Sequence, residues 1–423
     1  MKNRIKSLVI FALCISATVG RAQENRTLTF SQYMNNIRES NIEYLAEKYN
    51  VDIADAMVKA AKVFPNPELS VGYANNQNWN LQMGWGIDAE LGYTLELGGK
   101  RRARIRVAQS EKEMTEALLE DYFRNLRADA AIVYLAAIKQ KALLDIQKSS
   151  YSQMAELARA DSIRFQLGDI MEIDARQSRL EAATMLNEVY AGEGNLYEVL
   201  VQLALLQGTE DMQLPDSIAG SLSFRRRNFD LPMLIPMAQY NRADLQAALK
   251  YQEVSQNNLR LAKANRMIDL GLSVGGGYAS EVRNEIAPAP AFRGITAGVS
   301  IPLKFSNTNK GELRAAQSAM TQSEKQYEAI ELQISSEVAQ AYYKYQSACR
   351  QAEQFDSGLL DDAEAILQKK VYGYTHGETN ILEVLNAQRT YNEVQITFYE
   401  ALYDCSEALI ELERACGIWD IEI

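Results

Sequence analysis

Residues 86–97 read GIDAELGYTLEL and alternate over their whole length. Ile87, Ala89, Leu91, Tyr93, Leu95 and Leu97 form one face, and Gly86, Asp88, Glu90, Gly92, Thr94 and Glu96 form the other. A period of two predicts a β-strand with unlike faces. The neighbouring segments carry the same pattern. Leu69, Val71 and Tyr73 alternate with Ser70, Gly72 and Ala74, and Leu270, Leu272, Val274 and Tyr278 alternate mainly with glycine and serine. Ile295, Ala297, Val299, Ile301 and Leu303 alternate with Thr296, Gly298, Ser300 and Pro302. Each half of the chain therefore predicts two strands (69–75 and 86–97, then 270–279 and 294–303), joined by polar loops at 75–80 and 280–293.

Ten residues is the length a tilted transmembrane strand needs, and alternation of apolar residues with polar ones or glycine is the signature of a barrel. Trp79 and Trp85 lie at the hairpin end, where an interfacial aromatic belt would sit. On the polar face, Asp88, Glu90 and Glu96 would line an acidic lumen, either as a filter or as a solvated wall. The competing reading is a soluble antiparallel sheet with one wet face, but no separate sequence is available to cover the apolar one. Four strands cannot close a barrel, since small barrels start at about eight. Open edges in lipid leave unpaired backbone groups at several kcal/mol each. Oligomerisation removes the edges. Three chains would supply twelve strands, although closure alone also allows a dimer.

The eight prolines, at 65, 67, 215, 232, 236, 288, 290 and 302, leave two tracts free of proline, 68–214 and 303–423. From about 100 and 311 onward these tracts are rich in strong helix formers. Residues 100–165 would span ~100 Å as one helix, which points to coiled coils. The tracts also repeat each other. Ala175, Ala182, Val189, Leu196 and Leu203 recur every seven residues, and an offset of 209 gives Val384, Tyr391, Phe398, Cys405 and Leu412. The row Ser178, Met185, Gly192, Val199 and Leu206 maps likewise to Ala387, Val394, Ala401, Ala408 and Ala415. Gly168 maps to Gly377, Asp174 to Glu383 and Gly208 to Gly417. A strict heptad implies left-handed supercoiling of packed helices, and the common offset implies an internal duplication. Gly168 and Gly377 each precede the heptads and suit a tight turn between antiparallel helices. His376, beside the second turn, reads as a solvated turn residue.

This gives a signal segment at 1–22, a first repeat at 23–210, a linker at 211–236, a second repeat at 237–417 and a tail at 418–423. Residues 1–22 combine a basic start (Lys2, Arg4, Lys6), an apolar run from Leu8 to Val19 and a small-x-small end at Gly20-Arg21-Ala22. Cys14 is a candidate lipidation site, with bulky Leu13 where a small residue is usual. Removing the segment takes away four basic residues and no acidic ones, moving the net charge four units below −11. No later segment is apolar enough for a helical span.

Composition narrows the function. With 47% hydrophobic and 23% charged residues the chain is an ordinary folded one. A single His argues against a His-ligated metal enzyme and against Ser-His-Asp or Cys-His chemistry. The 55 acidic against 44 basic residues argue against nucleic acid. Phosphate-loop and HExxH motifs do not occur, and VGGGY at 274–278 reads as small lumen-facing residues. No cofactor or metal site is expected. Cys349, Cys405 and Cys416 are odd in number, and Cys405 and Cys416 lie about 16 Å apart on one predicted helix, so no disulfide framework is expected.

The segments FPNPELSVGY (64–73), YTLELGGKRRARI (93–105) and GETNILEVLNAQRTY (377–391), in this duplicated order, resemble the TolC-like outer-membrane efflux channel family. The basic GGKRR is similar to its heavy-metal branch. The resemblance implies a mainly α fold with a small β part: a duplicated long-helix coiled-coil barrel and four transmembrane strands per chain, closing as a twelve-stranded barrel in a homotrimer. It implies a Gram-negative outer-membrane location reaching into the periplasm, lipid contact, and partnership with a periplasmic adaptor (membrane fusion) protein and an inner-membrane pump. It places a periplasmic gate at Asp174, Tyr374, Glu383 and Asn386, around the turn glycines Gly168 and Gly377. Thr379 stands where the family's best-known member has a locking arginine, and Asn386 replaces an acidic residue. Physically, three-fold symmetry turns an inward carboxylate into a ring that attracts cations. The bland alternative for Asp174 and Glu383 is a solvated helix face. The alternative functions are a type I protein-secretion duct and, from another class, a periplasmic coiled-coil adaptor.

Overall fold

The computed structural model describes residues 27–76, 82–208, 214–223, 226–305, 308–355 and 357–420. The expected signal segment, Cys14 and Trp79 lie outside the described residues.

The alternating segments form one antiparallel sheet. Its strands are β2 (Glu68–Asn75), β3 (Trp85–Leu95), β5 (Leu270–Ala279) and β6 (Phe292–Ser300), in the order β2-β3-β5-β6. Register follows the side-chain code. Leu69, Leu91, Val274 and Ala297 lie in one cross-strand row, and Tyr73, Ile87 and Tyr278 in another. The polar rows run Gly72, Asp88, Gly277, Gly294 and Ser70, Glu90, Gly275, Thr296. A one-residue slip would invert every side chain, and like faces like except at the loop end, where Tyr278 lies opposite Arg293 and Ala279 opposite Phe292. The apolar face is uncovered: Leu69, Val71, Val274, Ile295 and Val299 are exposed, Ile295 at 88%. At the loop end, Trp85 packs against Tyr73 and Tyr278, with ring centroids 6.3 and 5.3 Å away.

The helices repeat as the sequence does. The first half runs α1 (Phe30–Ser40), α2 (Ile42–Ala61), β2, β3, α3 (Lys100–Leu167) and α4 (Glu172–Gln207). The second runs α5 (Leu231–Asn241), α6 (Ala243–Asn265), β5, β6, α7 (Lys310–Phe355), α8 (Leu359–Thr375) and α9 (Ile381–Cys416). α4 and α9 are both 36 residues long and begin 209 positions apart. Both heptad rows face inward; Ala175, Ala182, Met185, Leu203, Val384, Ala408 and Leu412 are all buried. No helix among the described residues is long and apolar enough to cross a membrane.

Two features depart from the simple repeat. The second half's long helix breaks between Phe355 and Leu359, where Gly358 adopts φ +91°, whereas α3 is unbroken at the equivalent position. α5 begins inside the expected linker and contains Pro236. Proline lacks the N–H that would continue the helical ladder, and α5 spans only 11 residues.

Residues 217–227 are fastened by backbone pairing and by side chains. Thr27–Leu28 (β1) pairs in parallel with Ser217–Ile218 (β4), and the Tyr134 hydroxyl lies 2.9 Å from the Leu28 carbonyl and 2.7 Å from that of Ala219. Arg227 binds the fully buried Glu413 and also Asp420. Burial pushes the Glu413 carboxyl up to about 8, while Arg227 and then Glu413 hold Asp420 well below the usual carboxylate range.

The chain divides into two compact units, each drawing on both repeats. One takes the segments ending at Leu45, spanning Phe123–Asn241 and beginning at Ser335; the other takes Ala46–Tyr122 and Arg242–Ile334. The sheet lies wholly in the second.

Both predicted turns and both C-caps use left-handed glycine. Gly168 and Gly377 have φ of +81° and +78°, and Gly208 and Gly417 have +67° and +68°. A Cβ on Gly168 meets nothing within 4 Å, but one on Gly208 would lie 2.1 Å from the Ser40 carbonyl oxygen. Gly168→Ala should therefore cost only the left-handed backbone, about 1–2 kcal/mol. Gly208→Ala should cost clearly more, because backbone must move. Denaturant unfolding of the two variants checks this order; equal losses would contradict it.

Candidate functional site

The two glycine turns converge on one core. Met154 and Ala158 of α3, Ala182 and Met185 of α4, Tyr374 of α8, and Ile381, Val384 and Leu385 of α9 form a single buried cluster. Each turn is set locally. Asn380 caps α9, its side-chain oxygen accepting from the Glu383 N–H at 3.0 Å, and Thr379 packs against the α-carbon of Gly373, where a Cβ would meet it at 3.1 Å. At the first turn Met171 precedes α4 without a side-chain cap.

The expected gate residues fall into two arrangements. Tyr374 is 5% exposed, and its hydroxyl donates to Asp161 Oδ1 at 3.0 Å. Asp161 is completely buried, with Arg164 at 3.8 Å. Burial pushes the Asp161 carboxyl up, against hydrogen bonds from Ser178 and Tyr374 and the charge of Arg164, and Asp174 pushes it further up. Burial, and then Asp161, push the Tyr374 phenol up. Glu383 is ion-paired to Lys370 across the second turn at 2.6 Å. Asp174 is half-buried, with no cation within ion-pair distance among the described residues, and Asn386 is exposed. His376 is exposed as expected and stacks on Tyr372 at 4.0 Å.

Asp161 is the residue that sequence reading passed over, and the repeat held a signal for it. The 209 offset maps Asp161 to Lys370 and Asp174 to Glu383. One turn thus carries a Lys–Glu pair, while the other carries two carboxylates. The unbalanced pair is relieved from the opposite repeat, by the Tyr374 hydroxyl. Two further links join the repeats nearby: Arg389 to Glu181 at 2.8 Å, and Ser150 to Asn392 at 2.8 Å.

On the sheet, Asp88 and Glu90 are exposed in the polar rows. Gly72 leaves room for Asp88, whose Oδ1 lies 2.5 Å from where a Gly72 Cβ would stand. β3 ends at Leu95, so Glu96 falls just past the ladder and pairs with Arg104 at 2.8 Å. The basic GGKRR segment has a structural task here. Lys100 binds Asp269 through both carboxylate oxygens at 2.7 Å. Arg101 caps the Lys62 carbonyl and lies over the Phe64 ring at 3.9 Å, and Arg104 adds the Ala61 and Val63 carbonyls. Arg101 and Arg104 thus satisfy the last carbonyl of α2 and the two that follow it, where the helical ladder has run out.

The family described as outer membrane efflux protein matches residues 34–209 and again 234–418. The chain belongs to that family. It is an efflux channel of the outer membrane, a conduit and not an enzyme. Among curated relatives, the cobalt-zinc-cadmium resistance protein CzcC of Cupriavidus metallidurans is 23% identical over 378 residues, covering 89% of this chain and 87% of that protein. The outer membrane efflux protein BepC of Brucella suis is 18% identical, covering 97% and 90%. Among solved structures, CusC aligns at a TM-score of 0.75 with 19% identity, covering 95% of this chain and 96% of that one. The CmeC outer membrane channel of Campylobacter jejuni also aligns at 0.75, with 16% identity, covering 92% and 85%.

The raised Asp161 sets a pH dependence for the efflux channel. Its proton is held more tightly in the folded than in the unfolded chain, so its contribution is full below the unfolded value near 4 and is lost as pH rises through the folded one. Asp161→Asn should flatten that part of the profile and gain stability relative to wild type towards neutral pH. Thermal unfolding in detergent between about pH 4 and pH 8 measures it. An unchanged difference between variant and wild type across the range would contradict the assignment.

Proposed function

We propose that three copies of this chain assemble around a common axis, closing their four-stranded sheets into a twelve-stranded barrel. The helical part continues the path into the periplasm, where a periplasmic adaptor and an inner-membrane pump deliver solute. The observation that carries this reading is the open sheet with its exposed apolar face. Two such edges cannot stay unpaired in hydrocarbon, and neighbouring copies supply the missing strands. The apolar face then meets lipid, and the Trp85, Tyr73 and Tyr278 cluster lies at one interface.

The paired turns act as the gate. Tyr374 and Asp161 hold the two repeats together at the tip, and Asp174 is the carboxylate left to form a three-fold ring. Glu383 contributes less field, because Lys370 offsets its charge at close range. Asn386, exposed on the same helix, supplies a neutral polar ring. Asp88 and Glu90 line the barrel mouth. The solute class we favour is divalent metal cations, supported by the likeness to a protein named for cobalt, zinc and cadmium resistance and by an acid-lined path. We read the repeats at 23–210 and 237–417 as the units of duplication, each completing its packing only against the other.

Planar-bilayer recording of the purified protein tests this. The account expects a heat-sensitive trimer that conducts with a cation preference. Asp174→Asn should weaken that preference more than Glu383→Gln. A soluble monomer without conductance would contradict the channel assembly, and unchanged selectivity in both variants would contradict the ring.

A further inference from the structure

Cys349 on α7 and Cys405 on α9 bring their sulfurs to 3.0 Å, with 1% and 6% of each residue exposed. A disulfide bond measures about 2.05 Å, so a shift of about 1 Å in side-chain position would join them. Cys405 and Cys416 share α9 and lie too far apart to pair with each other. The contact that matters lies between helices and 56 positions apart in sequence. We propose that Cys349 and Cys405 form a disulfide in the periplasm, a covalent staple between α7 and α9. The proposal rests on the helical part lying in that oxidising compartment.

The bond forms by thiol–disulfide exchange with an oxidoreductase in its disulfide form. One cysteine thiolate attacks the oxidant's disulfide, forming a mixed disulfide and releasing one oxidant thiolate. The second cysteine thiolate then attacks the mixed disulfide at the first cysteine's sulfur and releases the other. Two electrons pass to the oxidant, whose thiolates take up the two protons. Burial pushes the Cys405 thiol up. Thiolate is therefore scarce once the helices have packed, and exchange belongs to assembly. Afterwards the bond is shielded from reductants.

The staple encloses α8, the Gly377 turn and the first part of α9, the segment carrying Tyr374 and Glu383. It fixes the register of α7 against α9 while leaving the turn itself unlinked. One helical turn before Cys349, the Tyr345 hydroxyl accepts from the Arg227 N–H at 2.9 Å and lies 3.2 Å from the Arg227 carbonyl, so the linker docks at the same level. The first repeat has no counterpart, since the 209 offset places Gln140 and Leu196 at the matching positions. Only one of the two helical hairpins is stapled.

The test uses full-length protein from the outer-membrane fraction, denatured with N-ethylmaleimide and without reductant, then digested with trypsin. The expected result is peptide 345–350 linked to peptide 390–414, roughly 2 Da lighter than the two free thiol peptides for the two hydrogens lost and separated by reductant. Recovery of both peptides carrying maleimide, or of Cys405 joined to any other cysteine, would overturn the staple. Cys349→Ser should leave Cys405 fully reactive to maleimide under the same denaturing conditions. A Cys405 that stays unreactive there would also overturn it. Free thiols in protein recovered from that fraction would remove the staple alone, whereas absence of the protein from the fraction would remove the compartment on which it rests.

Discussion

Unpaired backbone at the outer edges of β2 and β6 is the constraint from which the rest of the molecule follows. Within one chain, each interior strand has partners on both sides, and each edge strand has one. In water the outer N–H and C=O groups would bind solvent. Against hydrocarbon each would cost several kcal/mol, and the exposed side chains of this sheet suit hydrocarbon. A chain that places Ile295, Leu69 and Val299 outward must find neighbours for its edges. Closure with other copies around a common axis is the proposed answer.

The helical part answers that symmetry with an internal one. α4 and α9 have the same length, and their flanking glycines share the same left-handed geometry. The two halves nevertheless differ at the tip. Lys370 and Glu383 neutralise each other, whereas Asp161 and Asp174 repel, and a tyrosine from the other repeat takes up the strain by hydrogen bonding. Duplication supplied two equivalent turns, and substitution made one depend on the other. A buried carboxyl held by the Tyr374 phenol, with Ser178 and Arg164 beside it, is a modest restraint between the two repeats.

Much of this was legible in the sequence because two periods are visible in it. Alternation at 86–97 fixed which residues share a face, and the strand register honours it row by row. Glycine at 168 and 377 marked turns because only a residue without Cβ adopts that backbone freely. What escaped were facts of tertiary contact. Asp161 looks like any charged helix residue until Tyr374 arrives from more than 200 positions away. Cys349 and Cys405 look unrelated until α7 and α9 pack. The break before Gly358 has no equivalent in the first repeat from which to infer it. GGKRR resembles a family branch, and two of its cations, Lys100 and Arg101, also bind Asp269 and the Lys62 carbonyl.

The central claim is that the sheet has one lipid face and one water face in the assembled protein. Single cysteines at 87 to 91, introduced into a Cys-free background and spin-labelled in lipid vesicles, report it directly. The account predicts that collisions with dissolved oxygen peak at 87, 89 and 91, while collisions with a water-soluble relaxant peak at 88 and 90. Equal water accessibility along all five positions would contradict it.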